Sequence, residues 1–156
     1  MMKARILLMV ALILALVGTL SVGSAAAGDA VVPFKATIQT FPQPQGVEDN
    51  CLVVKIPGQG QATHLGGTVF DSDMWACFDG SQYGTMILTA ANGDQLFGGF
   101  RGTWSGDPTV FVSFQGTFWI TEDGTGRFEG ATATGTYGGT AEAGEGILYF
   151  NGVLTK

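Results

Sequence analysis

Few side chains in this sequence carry chemistry, and each has a plain structural alternative. His64 is the single histidine, and imidazole is the usual proton-transfer group near neutral pH. Read as part of a strand, it shares one side with Ala62 and Gly66, while Thr63, Leu65 and Gly67 take the other. General-base work needs a positioned partner, and none stands beside it, so a histidine bonded to backbone at a bent strand competes with one that contacts a ligand. Arg127 follows a Gly124-Thr125-Gly126 turn. Such a turn exposes N–H groups to an anion, but no lysine followed by serine or threonine completes a phosphate loop. The competing role is a clamp on Asp94 or Glu129, with Phe128 plugging one end of the fold. Asp71, Asp73 and Asp79 form an oxygen-rich group of the kind calcium takes, but Trp75 stands where a third ligand belongs and a solvated turn suits them as well. Paired carboxylates also serve glycoside hydrolysis, which depends on their separation in space. Trp75, Trp104 and Trp119, with eleven phenylalanines, either line a cavity or fill a small β core. The residues carried forward as ligand contacts are His64, Arg127 and Trp104; no catalytic residue, metal or cofactor is assigned.

The N-terminus places these groups in a compartment. Lys3 and Arg5 precede an uncharged aliphatic run from Ile6 to Leu20, and small residues follow to Ala27. This reads as a secretory signal peptide over residues 1–27, cleaved before Gly28, with an uncleaved N-terminal anchor as the alternative. The run is shorter than the roughly 20 residues a spanning helix needs, and no other segment is apolar enough to span. Residues 28–156 then form one domain with five cations against thirteen carboxylates, a net charge of −8. A surface of that sign repels phosphate backbones, which argues against nucleic acid as a partner. In a secreted or periplasmic protein Cys51 and Cys77 are expected to bridge, with separate buried thiols as the alternative. The closed loop of about 26 residues would be worth about 3–4 kcal/mol.

The elements that position these residues are strands. Beyond the leader no stretch repeats apolar residues at helical spacing, and scattered glycine is costly inside helices. Period-two alternation is clear at Val110, Val112, Phe114, Gly116, Phe118 and Ile120, with Thr109, Phe111, Ser113, Gln115, Thr117 and Trp119 opposite. Tyr83–Ala91 and Asp94–Trp104 flank Asn92-Gly93, a type I′ hairpin signal. Further strands are expected at Pro33–Thr40, Cys51–Ile56, Ala62–Phe70, Met74–Phe78, Ala131–Tyr137 and Gly146–Leu154, with a loop over Phe41–Gly46, where two prolines remove ladder donors. About eight short strands with glycine bends predict an all-β fold, a single antiparallel eight-stranded barrel.

Three phrases carry a resemblance: Gly60-Gln61-Ala62-Thr63-His64-Leu65-Gly66, Leu88-Thr89-Ala90-Ala91-Asn92-Gly93-Asp94-Gln95-Leu96, and Asp123-Gly124-Thr125-Gly126-Arg127-Phe128-Glu129-Gly130-Ala131. Together they resemble secreted bacterial proteins of unknown function that are similar to the calycin-like barrels of the allene oxide cyclase and dirigent type. The likeness covers roughly residues 60–154 and departs at Asp123, where many members have glycine. It implies a barrel and transfers no activity, because fold does not fix function.

The expected function is a secreted, non-enzymatic barrel that binds a small apolar molecule or assembles with itself as a homo-oligomer. A cyclase- or isomerase-like enzyme acting on a small apolar substrate is one alternative. The other is an extracellular structural or surface-interaction protein using outward aromatics such as Phe111 and Trp119.

Overall fold

The computed structural model describes residues 29–156; the signal-peptide reading of residues 1–27 falls outside them. Ten strands follow in order: β1 (Val31–Thr40), β2 (Gln43–Glu48), β3 (Cys51–Lys55), β4 (Gly58–Ala62), β5 (Gly66–Cys77), β6 (Ser81–Thr89), β7 (Gln95–Asp107), β8 (Phe111–Ile120), β9 (Thr132–Glu142) and β10 (Glu145–Thr155), with one 3₁₀ turn at Gly126–Phe128. Eight of them run β5-β4-β1-β10-β9-β8-β7-β6, and β6 pairs back onto β5. The fold is therefore the closed antiparallel eight-stranded barrel that the alternation predicts. The β2–β3 hairpin continues the β1–β4 hairpin past Pro42 and Pro57, and β3 lies along the far half of β5. Ile56 and Ser72 exchange backbone hydrogen bonds across that break, so β5 stays paired along it.

Four local expectations give way, each for a physical reason. Phe41–Gly46 is not all loop: Gln43–Glu48 is a strand, which tolerates Pro44 because β2 is an edge. Ala62–Phe70 is not one strand. Thr63–Leu65 is a tight turn joining β4 to β5, with Ala62 paired to Gly66 and His64 in the left-handed region at φ 67°. Conversely, β5 runs unbroken through Asp71-Ser72-Asp73, because it is paired with β6 without a break from Val69 to Ala76 and Ser72 faces inward; the two outward carboxylates share Lys55 of β3 at 3.3 and 3.7 Å. The β6–β7 hairpin forms with a longer turn than type I′. Ala90 and Gly93 close it, and Gly93, not Asn92, takes the positive φ of 90°.

Barrel closure fixes the interior width. A row of paired residues starts at Ala76 and passes through Gln82, Gly102, Gly116, Tyr137, Phe150, Ala36 and Ala62. It returns to β5 at Gly66, ten residues from its start. Eight strands with that shear tilt by about 40° and enclose a tube of roughly 8 Å radius. Inward side chains must fill it, and they do so by pairing large residues with glycine across neighbouring strands. Phe100 lies opposite Gly84, Phe118 opposite Gly135, Tyr137 opposite Gly116 and Phe114 opposite Gly139. A Cβ at these four glycines would stand 2.7–2.9 Å from the facing ring. The freed rings meet edge to face, Phe118–Phe150 at 5.1 Å and Phe100–Tyr137 at 5.3 Å.

Glycine is thus a volume requirement at these inner positions; on the outer face Gly99 is held the same way by the Trp119 ring, at 2.6 Å, while Gly67 is not. Gly135→Ala should lower the free energy of unfolding by about 1–3 kcal/mol through overpacking. Gly67→Ala, where only the far end of Gln61 comes within 3.9 Å, should change it by less than about 0.5 kcal/mol. Urea denaturation of the two variants checks the contrast.

Candidate functional site

The two ends of the barrel differ. One holds the β4–β5 and β6–β7 turns and the β8–β9 connection; the other holds the β5–β6, β7–β8 and β9–β10 turns with the β2–β3 hairpin.

The first end is closed. Phe128 and Leu65 are buried there at 0% and 2% exposure. The connection is tied to β7 by Thr125 N–H donating to the Gln95 carbonyl and Gln95 N–H donating to Thr125 Oγ1, both 2.9 Å. Arg127 pairs with Asp94 through Nε at 3.7 Å and donates its backbone N–H to the same carboxylate at 3.2 Å. Its guanidinium and the Lys156 ammonium both lie over the Phe128 ring, at 4.9 and 4.8 Å. His64 Nε2 lies 3.0 Å from the Pro33 carbonyl, and Thr63 accepts the Lys35 N–H at 2.9 Å. The histidine and the arginine singled out by sequence thus secure backbone and plug at the closed end.

The second end is open. A cavity of about 190 Å³ enters the barrel there. Trp104, the third candidate, forms part of its wall, held by an Nε1–H donated to the Cys77 carbonyl at 2.9 Å. Leu52, Val54 and Ile56 cover it from the β3 side, with Pro42 and Pro44 at the edge. Cys51 and Cys77, directly paired across β3 and β5, are disulfide-bonded, which staples this cover to the barrel.

The floor carries the polar groups. Gln82 Nε2 donates to the Tyr137 hydroxyl at 2.7 Å in a buried contact. Ser72 is 3% exposed and lines the same cavity, and its Oγ has no hydrogen-bond partner among the described residues. The shear brings Ser72 and Tyr137 to one height, and Gln82 reaches Tyr137 from nearer the open end. Each step along the paired row falls by ten-eighths of a residue, so Tyr137, four strands from Ala76, comes level with Asp71–Ser72 on β5. Burial pushes the Tyr137 phenol above its ordinary value, partly opposed by the Gln82 hydrogen bond, so it stays a neutral O–H. Among the described residues, the lining includes Glu142 and no lysine, arginine or histidine.

Sequence reasoning missed Ser72, Gln82 and Tyr137. The signal was present: all three sit in the inward phase of their strands. Ser72 was hidden because Asp71 and Asp73 make it resemble a turn. Those two carboxylates face Lys55, while Asp79 lies in the β5–β6 turn and accepts from the Ser81 N–H and hydroxyl at 2.9 and 2.6 Å. The three acids do not converge on one point. Comparison with protein-family models, with curated proteins and with solved structures returns no match.

The closed end has a pH signature. Asp94 is held below the ordinary carboxylate range by the Asn92 side-chain amide, then by the Arg127 N–H and charge. A depressed carboxylate stabilises the fold above its unfolded value, about 3.9, and that contribution is lost as pH falls through the folded value. The melting temperature should therefore drop as pH falls below about 4, and Asp94→Asn should flatten that drop while lowering stability at pH 7. Thermal melts of both proteins across this range check it.

Proposed function

We propose that this chain is an exported barrel that holds a small, largely apolar molecule in its open end and does not transform it. The observation that carries this reading is the cavity itself: a concave apolar site with a buried serine hydroxyl left unpartnered on its floor. Apolar walls with a few fixed polar groups are how small-molecule sites are built, and an orphaned buried hydroxyl is costly unless something satisfies it. Export agrees with the Cys51–Cys77 disulfide, with the leader-like N-terminus, and with the absence, among the described residues, of a helix long and apolar enough to cross a membrane.

Binding is favoured over catalysis by the floor chemistry. Serine and glutamine do not titrate near neutrality, and Tyr137 is pushed further from it. The one carboxylate of the lining, Glu142, lies at the end of β9 and not on the floor, so a cyclase- or isomerase-like reaction needing proton transfer finds no base beside Ser72 and Tyr137. Kinship with the allene oxide cyclase and dirigent barrels is likewise a proposal, resting on the three sequence phrases. Those phrases fall at the closed end, so they support the plug and say nothing of the cavity.

Native mass spectrometry of the protein purified from its host's secretions tests the reading. A retained small molecule is expected, and it should be lost from Ala141→Trp, which fills the cavity wall, while that variant still melts cooperatively. A wild-type protein that is empty and stays empty when apolar probes are added sinks the proposal.

A further inference from the structure

The floor specifies what the cavity takes. Resting on the small-ligand reading above, we infer that the occupant is an uncharged, mainly hydrocarbon molecule whose one oxygen acceptor, of the ketone or ester kind, enters first and receives hydrogen bonds from Ser72 and Tyr137. Three observations converge on this. Ser72 Oγ has no partner, so its O–H is free to donate. The Tyr137 oxygen already accepts from Gln82, which aligns the phenol and leaves its proton to donate elsewhere. Both groups line the cavity at one height, across the tube from each other. Two donors facing one space suit an acceptor with two lone pairs, which a carbonyl oxygen supplies.

Charge narrows the class further. A carboxylate seated on this floor would be desolvated with no cation among the described residues of the lining. It would also pass Glu142 on the way in and meet the field of Asp79 and Asp107 in the neighbouring turns. Both aspartates are held below the ordinary carboxylate range by serine or threonine donors, Ser81 and Thr109. They therefore stay ionised well into acid. An alkane avoids the desolvation penalty but leaves Ser72 unsatisfied.

Size follows from volume. A dry cavity of about 150 Å³ takes one benzene, so about 190 Å³ houses roughly eight non-hydrogen atoms, with any longer chain reaching toward the open end.

Equilibrium binding of methyl hexyl ketone, octane and octanoate at pH 7, followed by tryptophan fluorescence, tests the inference, with Trp104 as the reporter in the cavity. The ketone should bind about tenfold or more tightly than either of the others. Ser72→Ala should weaken the ketone about 3- to 10-fold and leave octane unchanged, while the ligand-free variant melts at the same or a higher temperature because the orphaned hydroxyl is gone. Tyr137→Phe should weaken the ketone similarly. Equal affinity for ketone and octane, tightest binding of octanoate, or an unchanged ketone affinity in both variants overturns the assignment while the small-ligand reading survives. Failure of all three probes to bind overturns both.

Discussion

The width of the tube governs this molecule. Eight strands with a shear of ten residues leave an interior that ordinary aliphatic side chains cannot fill evenly, and the chain resolves this with rings set against glycines. The arrangement is cooperative in a strict sense. Phe118 needs Gly135 to lie flat, Gly135 lets the β10 backbone approach, and the space so made admits Phe150 edge-on to Phe118. Replace one glycine and the ring, the neighbouring strand and the next ring must all move. The high glycine content, 25 of 156 residues, is therefore a packing code more than a sign of flexibility.

The same interior solves its two ends differently. At the closed end, Phe128 supplies the plug, and Asp94, Arg127 and Thr125 lock the connection that carries it. Gly126 is needed there twice over, for its positive φ of 57° and because a Cβ would collide with the Asp94 carboxylate. At the open end no side chain among the described residues plays the part of Phe128. The tube is covered from one side by the β2–β3 hairpin, whose edge strand carries Pro44, which discourages further strand pairing. Phe70, Phe100, Tyr137 and Phe150 end the packed core, and above them the space is left to the cavity.

This asymmetry explains what could be read from sequence and what could not. The alternation from Val112 to Ile120, the hairpin around Asn92-Gly93 and the disulfide were legible, because each depends on neighbours in the chain or on compartment. The memorable phrases around His64, Asn92 and Arg127 were equally visible, but all three converge on the plug: Ala91 N–H donates to the Leu65 carbonyl, and Arg127 reaches Asp94. Local sequence distinctiveness therefore marked where the chain turns. The cavity floor is assembled from β5, β6 and β9, through residues 55 positions apart in the case of Gln82 and Tyr137. Its level depends on shear, a property of the closed ring that no single strand encodes. The unbroken course of β5 was hidden for a related reason, since Asp71 and Asp73 read as a turn until β5 is seen paired with β6 and Lys55 of a distant strand is placed beside them.

Leaving one end unfilled has an energetic consequence, and the disulfide belongs to it. A void of about 190 Å³ would cost on the order of 4–5 kcal/mol if the site were dry and unrelaxed, with water in the mouth lowering that figure. Closing the 26-residue loop between Cys51 and Cys77 contributes about 3–4 kcal/mol, comparable in size and opposite in sign. The bridge is placed where the deficit lies, between the cover strand β3 and the wall strand β5, and Trp104 is bonded to the carbonyl of one of its cysteines. Had stability alone shaped this end, a larger residue at Ala76 or Ala141 and an apolar one at Ser72 would have been the simpler remedy. Instead the chain keeps small side chains on the wall and a hydroxyl on the floor, and secures the frame around them covalently. On the small-ligand reading proposed above, the missing core volume and the missing hydrogen-bond partner of Ser72 are supplied by the same guest.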